Sequence, residues 1–277
     1  MKVSPISQLL LYSLIILAIV FSVKAESKID FSYVGKTGPA FWHLLPNSSI
    51  CLNGRRQSPI DLRSHTDLKK KFEPPCNIRV KNIVKAELVH TGTTIEVALG
   101  KEEEGEEGKG NEFLPASFTV GDETFKLLQF HFHTPSEHRI DGVHLDVEAH
   151  FVFKSQKDKI SVVAVFFNID LEGKENKFFK PILKNIPKPK EVIKIRNIGL
   201  SKIFKDIKNI QEPFTYNGSL TTPPCTEGVR WWINHKHIQS ISSCQHHKLK
   251  NAIGFNSRFI QLRESDYESD SKNENYY

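Results

Sequence analysis

Short segments in which apolar and polar residues alternate, or in which apolar residues run together, recur along most of the chain. They are rich in Val, Ile, Phe and Thr and are separated by residues typical of turns, which is the pattern of β-strands. These segments lie at residues 78–80, 86–89, 94–98, 118–120, 126–132, 144–153, 161–167 and 229–233. No linker-like stretch interrupts residues 31–262, so the pattern predicts one mainly β domain.

Helical periodicity is confined to three short stretches, at residues 176–183, 203–210 and 238–243. The lysine-rich stretch 184–208 alternates its charges with Ile and Leu. That alternation predicts a charged face over a buried apolar stripe rather than a surface that binds nucleic acid. We therefore expect short helices at the periphery of a large sheet.

The N-terminal 25 residues have the features of a secretory signal peptide. Lys2 precedes an apolar run over residues 9–23, and Val23-Lys24-Ala25 resembles the end of a signal peptide before its cleavage site. No second apolar run follows, so no membrane span is expected. We predict a secreted, extracellular protein, in which the chain divides into a signal peptide at 1–25, a folded domain at 26–263 and a tail at 264–277.

Two segments are acidic, although the formal net charge of the chain is +6. Residues 100–111 combine glutamates with glycines, which predicts a solvated loop between strands. Residues 264–277 form an acidic, serine-containing tail that we expect to be disordered. The alternative role for both segments is to bind calcium or a mineral surface, as in a secreted matrix or mineral-associated binding protein.

Secretion changes the expectation for the four cysteines, because an oxidising compartment favours disulfides. Four cysteines allow three pairings, and their spacing does not select among them. They are Cys51, Cys76, Cys225 and Cys244. The same route predicts glycosylation at the sequon of Asn47, whereas a second sequon, at Asn217, is the weaker candidate.

Three of the twelve histidines are spaced as a metal site requires. His131 and His133 lie two residues apart in a predicted strand, so both rings point to the same face of the sheet. A hairpin after His133 would bring His150 beside them as a third nitrogen ligand. Three protein ligands with one open position are typical of catalytic zinc. The other such pair, His235 and His237, lacks comparable neighbours, which favours surface histidines.

The residues two positions before two of these ligands support the same interpretation. Gln129 precedes His131 and Glu148 precedes His150, so each shares the face of its histidine. A carboxylate or an amide in that place can accept the second N–H of an imidazole, which fixes the tautomer and the direction of the ring.

Several motifs together resemble those of the α-class carbonic anhydrases. They are QFHFHTPSEH at 129–138 followed by Glu148-x-His150, GRRQSPI at 54–60, and GSLTTPPC at 218–225. The resemblance spans about residues 31–262 in the same order. It implies a mainly β catalytic domain, built on a large, twisted, mostly antiparallel central sheet of about ten strands with short peripheral helices.

The resemblance implies reversible hydration of CO2 to bicarbonate and a proton, with Zn2+ as the cofactor and sensitivity to sulfonamide-type inhibitors. The implied zinc ligands are His131, His133 and His150, with Gln129 and Glu148 as the hydrogen-bond partners behind them.

Two further residues match the pair that orients the zinc-bound hydroxide in this family. An ionised Glu137 would accept the proton of the Thr221 hydroxyl, so the Thr221 oxygen could only accept a hydrogen bond from the hydroxide. Substrate contacts are implied for an apolar wall and for one hydroxyl group, at Val152, Val162, Leu220, Trp231 and Thr222.

Two features modify this expectation. Thr93 stands where the family usually has its proton-shuttle histidine, and threonine does not titrate near neutral pH, so proton export should be slow or should depend on buffer. His90, three residues away, is the alternative proton carrier. The resemblance also implies a disulfide between Cys51 and Cys225. It leaves Cys76 and Cys244, which either pair or remain thiols, and we expect them to pair.

Overall fold

The structure is a computed structural model that describes residues 29–67, 76–99, 115–208 and 213–263. The predicted signal peptide, the acidic loop and the acidic tail lie outside the described residues, so the expectations for them stay predictions. Among the described residues, no helix has the length and apolar character needed to cross a membrane.

The described residues form thirteen strands: β1 (Asp61–Leu62), β2 (Cys76–Val80), β3 (Ile83–His90), β4 (Ile95–Ala98), β5 (Ala116–Val120), β6 (Glu123–His133), β7 (Arg139–Ile140), β8 (Val143–His144), β9 (Val147–Ser155), β10 (Ile160–Asp170), β11 (Val192–Ile198), β12 (Phe214–Ser219) and β13 (Glu227–Ser242). The helices are short: α1 (Ile50–Asn53), α2 (Lys180–Lys184), α3 (Leu200–Lys208) and α4 (Ser243–Ile253), with 3-10 turns at Gly35–Thr37 and Pro39–Leu44.

Ten of these strands form one large sheet, as the resemblance implied. Its main path runs β11-β3-β4-β6-β9-β10-β13-β12, and β2 joins through β5, which pairs with β6. Every pairing in this sheet is antiparallel except that of β10 with β13. Strands β1, β7 and β8 form a separate small sheet. The predicted mainly β fold with short helices is confirmed.

The helix predicted at residues 238–243 is wrong, because β13 continues through this stretch and pairs with the end of β10. Helix α4 begins at Ser243, where a capping box ends the strand. The Ser242 side chain accepts a hydrogen bond from the backbone N–H of Gln245, whose own side chain accepts from the backbone N–H of Ser242. Such reciprocal bonds satisfy two N–H groups at the helix start.

The central strands β6 and β9 separate two environments, because successive side chains of a strand point to opposite faces. One face carries the buried rings of Phe130, Phe132, Phe151 and Phe153, which pack into the large core beneath helices α2 and α4. The other face carries the histidines singled out above. The phenylalanine core therefore supports the strands from behind while the histidines face the opposite way.

The disulfide implied by the resemblance is present, and it joins Cys51 of α1 to Cys225 after β12. The expected pairing of Cys76 with Cys244 is not formed, because Cys244 has a free and exposed thiol. The topology explains this result. Cys76 begins β2, which reaches the sheet through β5 and β6, whereas Cys244 follows β13 on the far side of β9 and β10.

Candidate active site

The three predicted ligand histidines converge in the fold. His131 on β6 lies directly opposite His150 on β9, and His133 lies two residues further along β6. One ring nitrogen from each of the three lies within 4.8 Å of the others. The ring centroids of His133 and His150 are 4.5 Å apart. This is a compact set of nitrogen donors that can converge on one metal ion.

Each of two histidines is held by the residue predicted for it. His131 Nδ1 donates to Gln129 Oε1 at 2.9 Å, and His150 Nε2 donates to Glu148 Oε1 at 2.8 Å. An amide or carboxylate oxygen can only accept, so these bonds place the proton on those two nitrogens. The remaining nitrogens, His131 Nε2 and His150 Nδ1, are not engaged by these two oxygens and are the atoms that a metal would meet.

The third histidine is held from a distant part of the chain. His133 Nδ1 donates to the backbone carbonyl of Asn256 at 2.7 Å, and the Asn256 amide in turn donates to the carbonyls of Phe132 and Thr93. His133 Nε2 is buried and has no hydrogen-bond partner in the described structure. A buried nitrogen without a partner is costly, and a metal ion at the histidine cluster would remove that cost.

The protonation states of these rings suit a metal site. Burial lowers the pKa of His133 to about 3, and repulsion from His150 acts in the same direction. Burial also lowers the pKa of His131 well below its ordinary value. Metal ligation requires neutral imidazoles. Three imidazole nitrogens with no thiolate match the donor set of catalytic zinc, so the residues fit the implied cofactor.

Glu148 connects the cluster to a buried network that the sequence did not reveal. Its Oε1 also accepts from His138 Nδ1 at 2.6 Å, and its Oε2 accepts from the backbone N–H groups of Glu137 and His138. Burial would raise the pKa of Glu148, but the charges and hydrogen bonds of His138 and His150 outweigh it and hold that pKa well below its ordinary value. Glu148 is therefore an anchored carboxylate.

The same network continues away from the cluster. His138 Nε2 lies 2.7 Å from the Tyr216 hydroxyl, which lies 2.7 Å from the Ser58 hydroxyl. Because His138 Nδ1 bonds to the Glu148 carboxylate, its Nε2 is the ring nitrogen that meets the Tyr216 hydroxyl. Sequence reasoning assigned His138 no role. Its partners are 78 and 10 residues away in the chain, so only the fold brings them together.

Glu137 lies beside the histidines, and the Thr221 hydroxyl lies close enough to influence the Glu137 carboxyl. Glu137 Oε2 is 3.4 Å from His133 Nε2, and Oε1 accepts from the backbone N–H of Arg258 at 2.9 Å. Burial raises the pKa of Glu137 to about 7, against the opposing effects of His150, the Thr221 hydroxyl and the Arg258 N–H. Oε2 accepts no hydrogen bond of standard geometry from the described residues.

The predicted apolar wall forms next to the cluster. Val162 lies between Val152 and Trp231 in the sheet, so their side chains share the face that carries His150. The Trp231 ring packs against the His150 ring at a centroid distance of 4.8 Å. Leu220 packs into the same hydrophobic group. Thr222 lies in the turn that leads to Cys225, whose backbone N–H donates to the Thr222 carbonyl.

The two candidate positions for proton transfer differ in their surroundings. Thr93 lies in the β3–β4 turn, where its carbonyl accepts from Asn256. His90 is buried, with Nε2 hydrogen-bonded to the Ala252 carbonyl and Nδ1 accepting from the Gly92 N–H. Both His90 nitrogens are thus occupied, and it presents no free nitrogen to solvent or substrate.

The comparisons with known proteins agree with this geometry. A family model for eukaryotic-type carbonic anhydrases matches residues 37–264. The carbonic anhydrase of Pectobacterium carotovorum is 30% identical over 262 residues, which cover 89% of this chain and 96% of the relative. Dioscorin DB3S of Dioscorea polystachya is 31% identical over 258 residues, which cover 91% of this chain and 89% of the relative.

A solved structure gives the same result in three dimensions. The α-carbonic anhydrase of Thermovibrio ammonificans, in complex with the inhibitor sulfanilamide, superposes with a TM-score of 0.72 and 33% sequence identity. The alignment covers 85% of this chain and 96% of that one. Because the match extends over nearly the whole described fold and includes the strands that carry the histidines, the chain belongs to the α-class, or eukaryotic-type, carbonic anhydrase family.

Proposed function

We propose that this carbonic anhydrase hydrates CO2 reversibly to bicarbonate with Zn2+ held by His131, His133 and His150. The observation that carries the proposal is the convergence of their three nitrogens, one of which is buried and has no partner in the described structure. When bound by neutral imidazoles, Zn2+ lowers the pKa of a water molecule to about 7, a shift for which carbonic anhydrases are the standard example, and so supplies a nucleophile at neutral pH.

Thr221 and Glu137 are proposed to orient that nucleophile. The ionised Glu137 carboxylate accepts the proton of the Thr221 hydroxyl, which leaves Thr221 Oγ1 able only to accept. One lone pair of the nucleophile is thereby directed at the substrate, and fixed orientation lowers the barrier. A Zn2+ ion held by the three histidines would bring positive charge close to Glu137. That charge would favour the ionised form of the Glu137 carboxyl, because opposite charges stabilise each other at short range.

The apolar wall is proposed to hold CO2 beside the histidines. Its side chains offer no hydrogen bonds to water, so they favour a small apolar substrate over solvent. They are Val152, Val162, Leu220 and Trp231, with Thr222 proposed to contact bicarbonate. The structure of the Thermovibrio ammonificans relative with sulfanilamide supports the further proposal that sulfonamides bind at the same place in this chain.

Proton export is proposed to depend on buffer. Thr93 cannot carry a proton near neutral pH, and both ring nitrogens of His90 are engaged in the fold. We therefore assign His90 no role in the transfer. A mobile buffer that enters the site takes the proton instead.

Secretion and glycosylation remain proposals that the sequence supports. The signal-peptide pattern of residues 1–25 predicts export, and the Cys51–Cys225 disulfide is typical of an oxidising compartment. Asn47 is exposed, so its sequon would be accessible to glycosylation. The mineral-binding alternative depends on the acidic loop and tail, and no described residue supports it.

The test is CO2 hydration measured by stopped flow before and after removal of metal with a chelator. We expect chelation to abolish the activity, one equivalent of Zn2+ to restore it, and sulfanilamide to inhibit it. A protein with full zinc occupancy and no hydration activity would contradict the proposal.

A further inference from the structure

A half-open cavity of about 430 Å3 lies at the surface of the fold, and none of the three proposed metal ligands lines it. It is bounded by the N-terminal 3-10 turns, by the small sheet of β7 and β8, and by the chain that follows α4. The residues that define its character are Phe41, Phe255, Phe259, Arg139 and His144. Its volume lies within the range of small-molecule sites, roughly 300–1,000 Å3.

The walls of this cavity are aromatic and partly exposed to solvent. Phe41 is 45% exposed, Phe255 55% and Phe259 50%. Single exposed apolar residues are ordinary, but these three phenylalanines line one concavity, so a single ligand would cover all three. Flat rings on several sides suit a planar apolar group, since aromatic pairs stack edge to face or offset.

Arg139 supplies a positive charge at the same place. It pairs with His144 across β7 and β8, so both side chains lie on the face of the small sheet that lines the cavity. Arg139 Nε is buried and has no hydrogen-bond partner among the described residues. A buried donor without a partner is energetically costly, and a ligand that accepts a hydrogen bond from Arg139 Nε would remove that cost.

No carboxylate of the described fold neutralises this arginine. The residues that line the cavity include no aspartate or glutamate. The nearest acid in the sheet register is Asp61 on β1, opposite Arg139. Its Oδ1 accepts from the Gly142 N–H at 2.9 Å, and within the described ranges it forms no ion pair with Arg139. Among the described residues, Arg139 therefore has no acidic partner at this cavity.

We infer that this cavity binds a small organic carboxylate that carries an aromatic ring. The planar guanidinium of Arg139 presents its donors in a fork that matches the two oxygens of a carboxylate. The ring of the ligand packs among the three phenylalanines, where it removes apolar surface from water. None of the three proposed metal ligands lines this cavity, although one lining residue, Arg258, donates its backbone N–H to Glu137.

The inference is tested with 4-fluorophenylacetate, whose binding to the zinc-loaded full chain is followed by 19F NMR in the presence of saturating sulfanilamide. Sulfanilamide occupies the metal centre, so the binding that remains reports on the second cavity. We expect saturable binding, and at least about tenfold weaker binding after Arg139→Gln, because a charge-assisted hydrogen bond is lost. The neutral 4-fluorophenylacetamide should bind more weakly than the acid.

Matched controls separate this site from general effects of charge. Arg196→Gln removes the same charge from an exposed position on β11 and should leave binding unchanged. Phe255→Ala removes one aromatic wall of the cavity at a half-exposed position, and it should weaken binding of the probe. It provides a second test of the inference if Arg139→Gln folds poorly. Displacement of the probe by sulfanilamide, or equal affinity of wild type and both cavity variants, overturns the inference.

Discussion

Glu148 Oε1 accepts a hydrogen bond from His150 Nε2 at 2.8 Å, between two residues of the same strand face. This bond decides which nitrogen of His150 is protonated, and so leaves Nδ1 to face the other two histidines. The fold provides Glu148 with three further donors, two backbone N–H groups and the His138 ring. The carboxylate is therefore fixed before any metal binds.

The first prediction concerns this carboxylate. Glu148→Gln should weaken zinc affinity by about 10–100-fold, because the hydrogen bond to the ligand histidine loses its charged acceptor. Competition with a chromophoric zinc chelator measures the effect. Glu172→Gln, an exposed change of the same chemistry, should leave the affinity unchanged. Equal zinc affinity in both variants would show that Glu148 does not position His150.

The second prediction separates orientation from metal binding. Thr221→Ala should lower the CO2 hydration rate by about 100-fold, because a poorly oriented nucleophile reacts more slowly by about that factor. The zinc affinity should stay within about threefold of the wild-type value, because Thr221 is not a proposed ligand. Stopped-flow rates and a zinc titration on the same sample measure both. Thr124→Ala on β6, where the residue is exposed, is the control. A Thr221→Ala enzyme with full activity would exclude the orienting role.

The third prediction concerns the proton. At low buffer concentration the hydration rate should rise as imidazole buffer is added, because no described residue at the shuttle position titrates near neutral pH. Thr93→His should raise the rate at low buffer and reduce its dependence on imidazole. Stopped-flow measurements over a series of imidazole concentrations test both statements. If the hydration rates of the wild type and of Thr93→His are both independent of the imidazole concentration, proton export does not depend on buffer.

The fourth prediction follows from the lowered pKa of His133, about 3 in the fold. An unfolded histidine takes up its proton near pH 6.5. The unfolded state therefore binds more protons between these pH values, and the free energy of unfolding of metal-free protein should fall as pH falls, by up to about 1.4 kcal/mol per unit for this one residue.

Two carboxylates shape the same profile. Glu137, with a pKa raised to about 7, opposes the trend between roughly pH 4.5 and 7, because there the folded state holds the extra proton. Glu148 has a lowered pKa, so its contribution is lost below about pH 4.5. The free energy of unfolding should thus fall most steeply below pH 4.5. Urea unfolding of the metal-free wild type and of His133→Gln over a series of pH values measures this dependence. If His133→Gln has the same pH dependence as the wild type, His133 does not cause it.

The histidine cluster could be predicted from the sequence because its information is local. Two-residue spacing places His131 and His133 on one face, and the antiparallel return of the chain from β6 to β9 brings His150 opposite. The partners Gln129 and Glu148 follow from the same period of two. The alternation of apolar residues likewise predicted most strands of the large sheet.

The rest of the site depends on contacts between distant residues, which no local pattern specifies. The Asn256 carbonyl meets His133 across 123 residues, and Tyr216 meets Ser58 across 158. The cavity beside Arg139 likewise combines segments from three parts of the chain. The misplaced helix at residues 238–243 has a different cause, since pairing with β10 overrides local helical periodicity there.

The most direct test of the account compares the two His-x-His pairs of the chain. His133→Ala should remove stoichiometric zinc binding and CO2 hydration together, because it deletes one of three converging ligands. His237→Ala, at an exposed position on β13, should leave both unchanged. The measurement is stopped-flow CO2 hydration with zinc content determined on the same samples. Hydration that persists in His133→Ala at the wild-type rate would contradict the account.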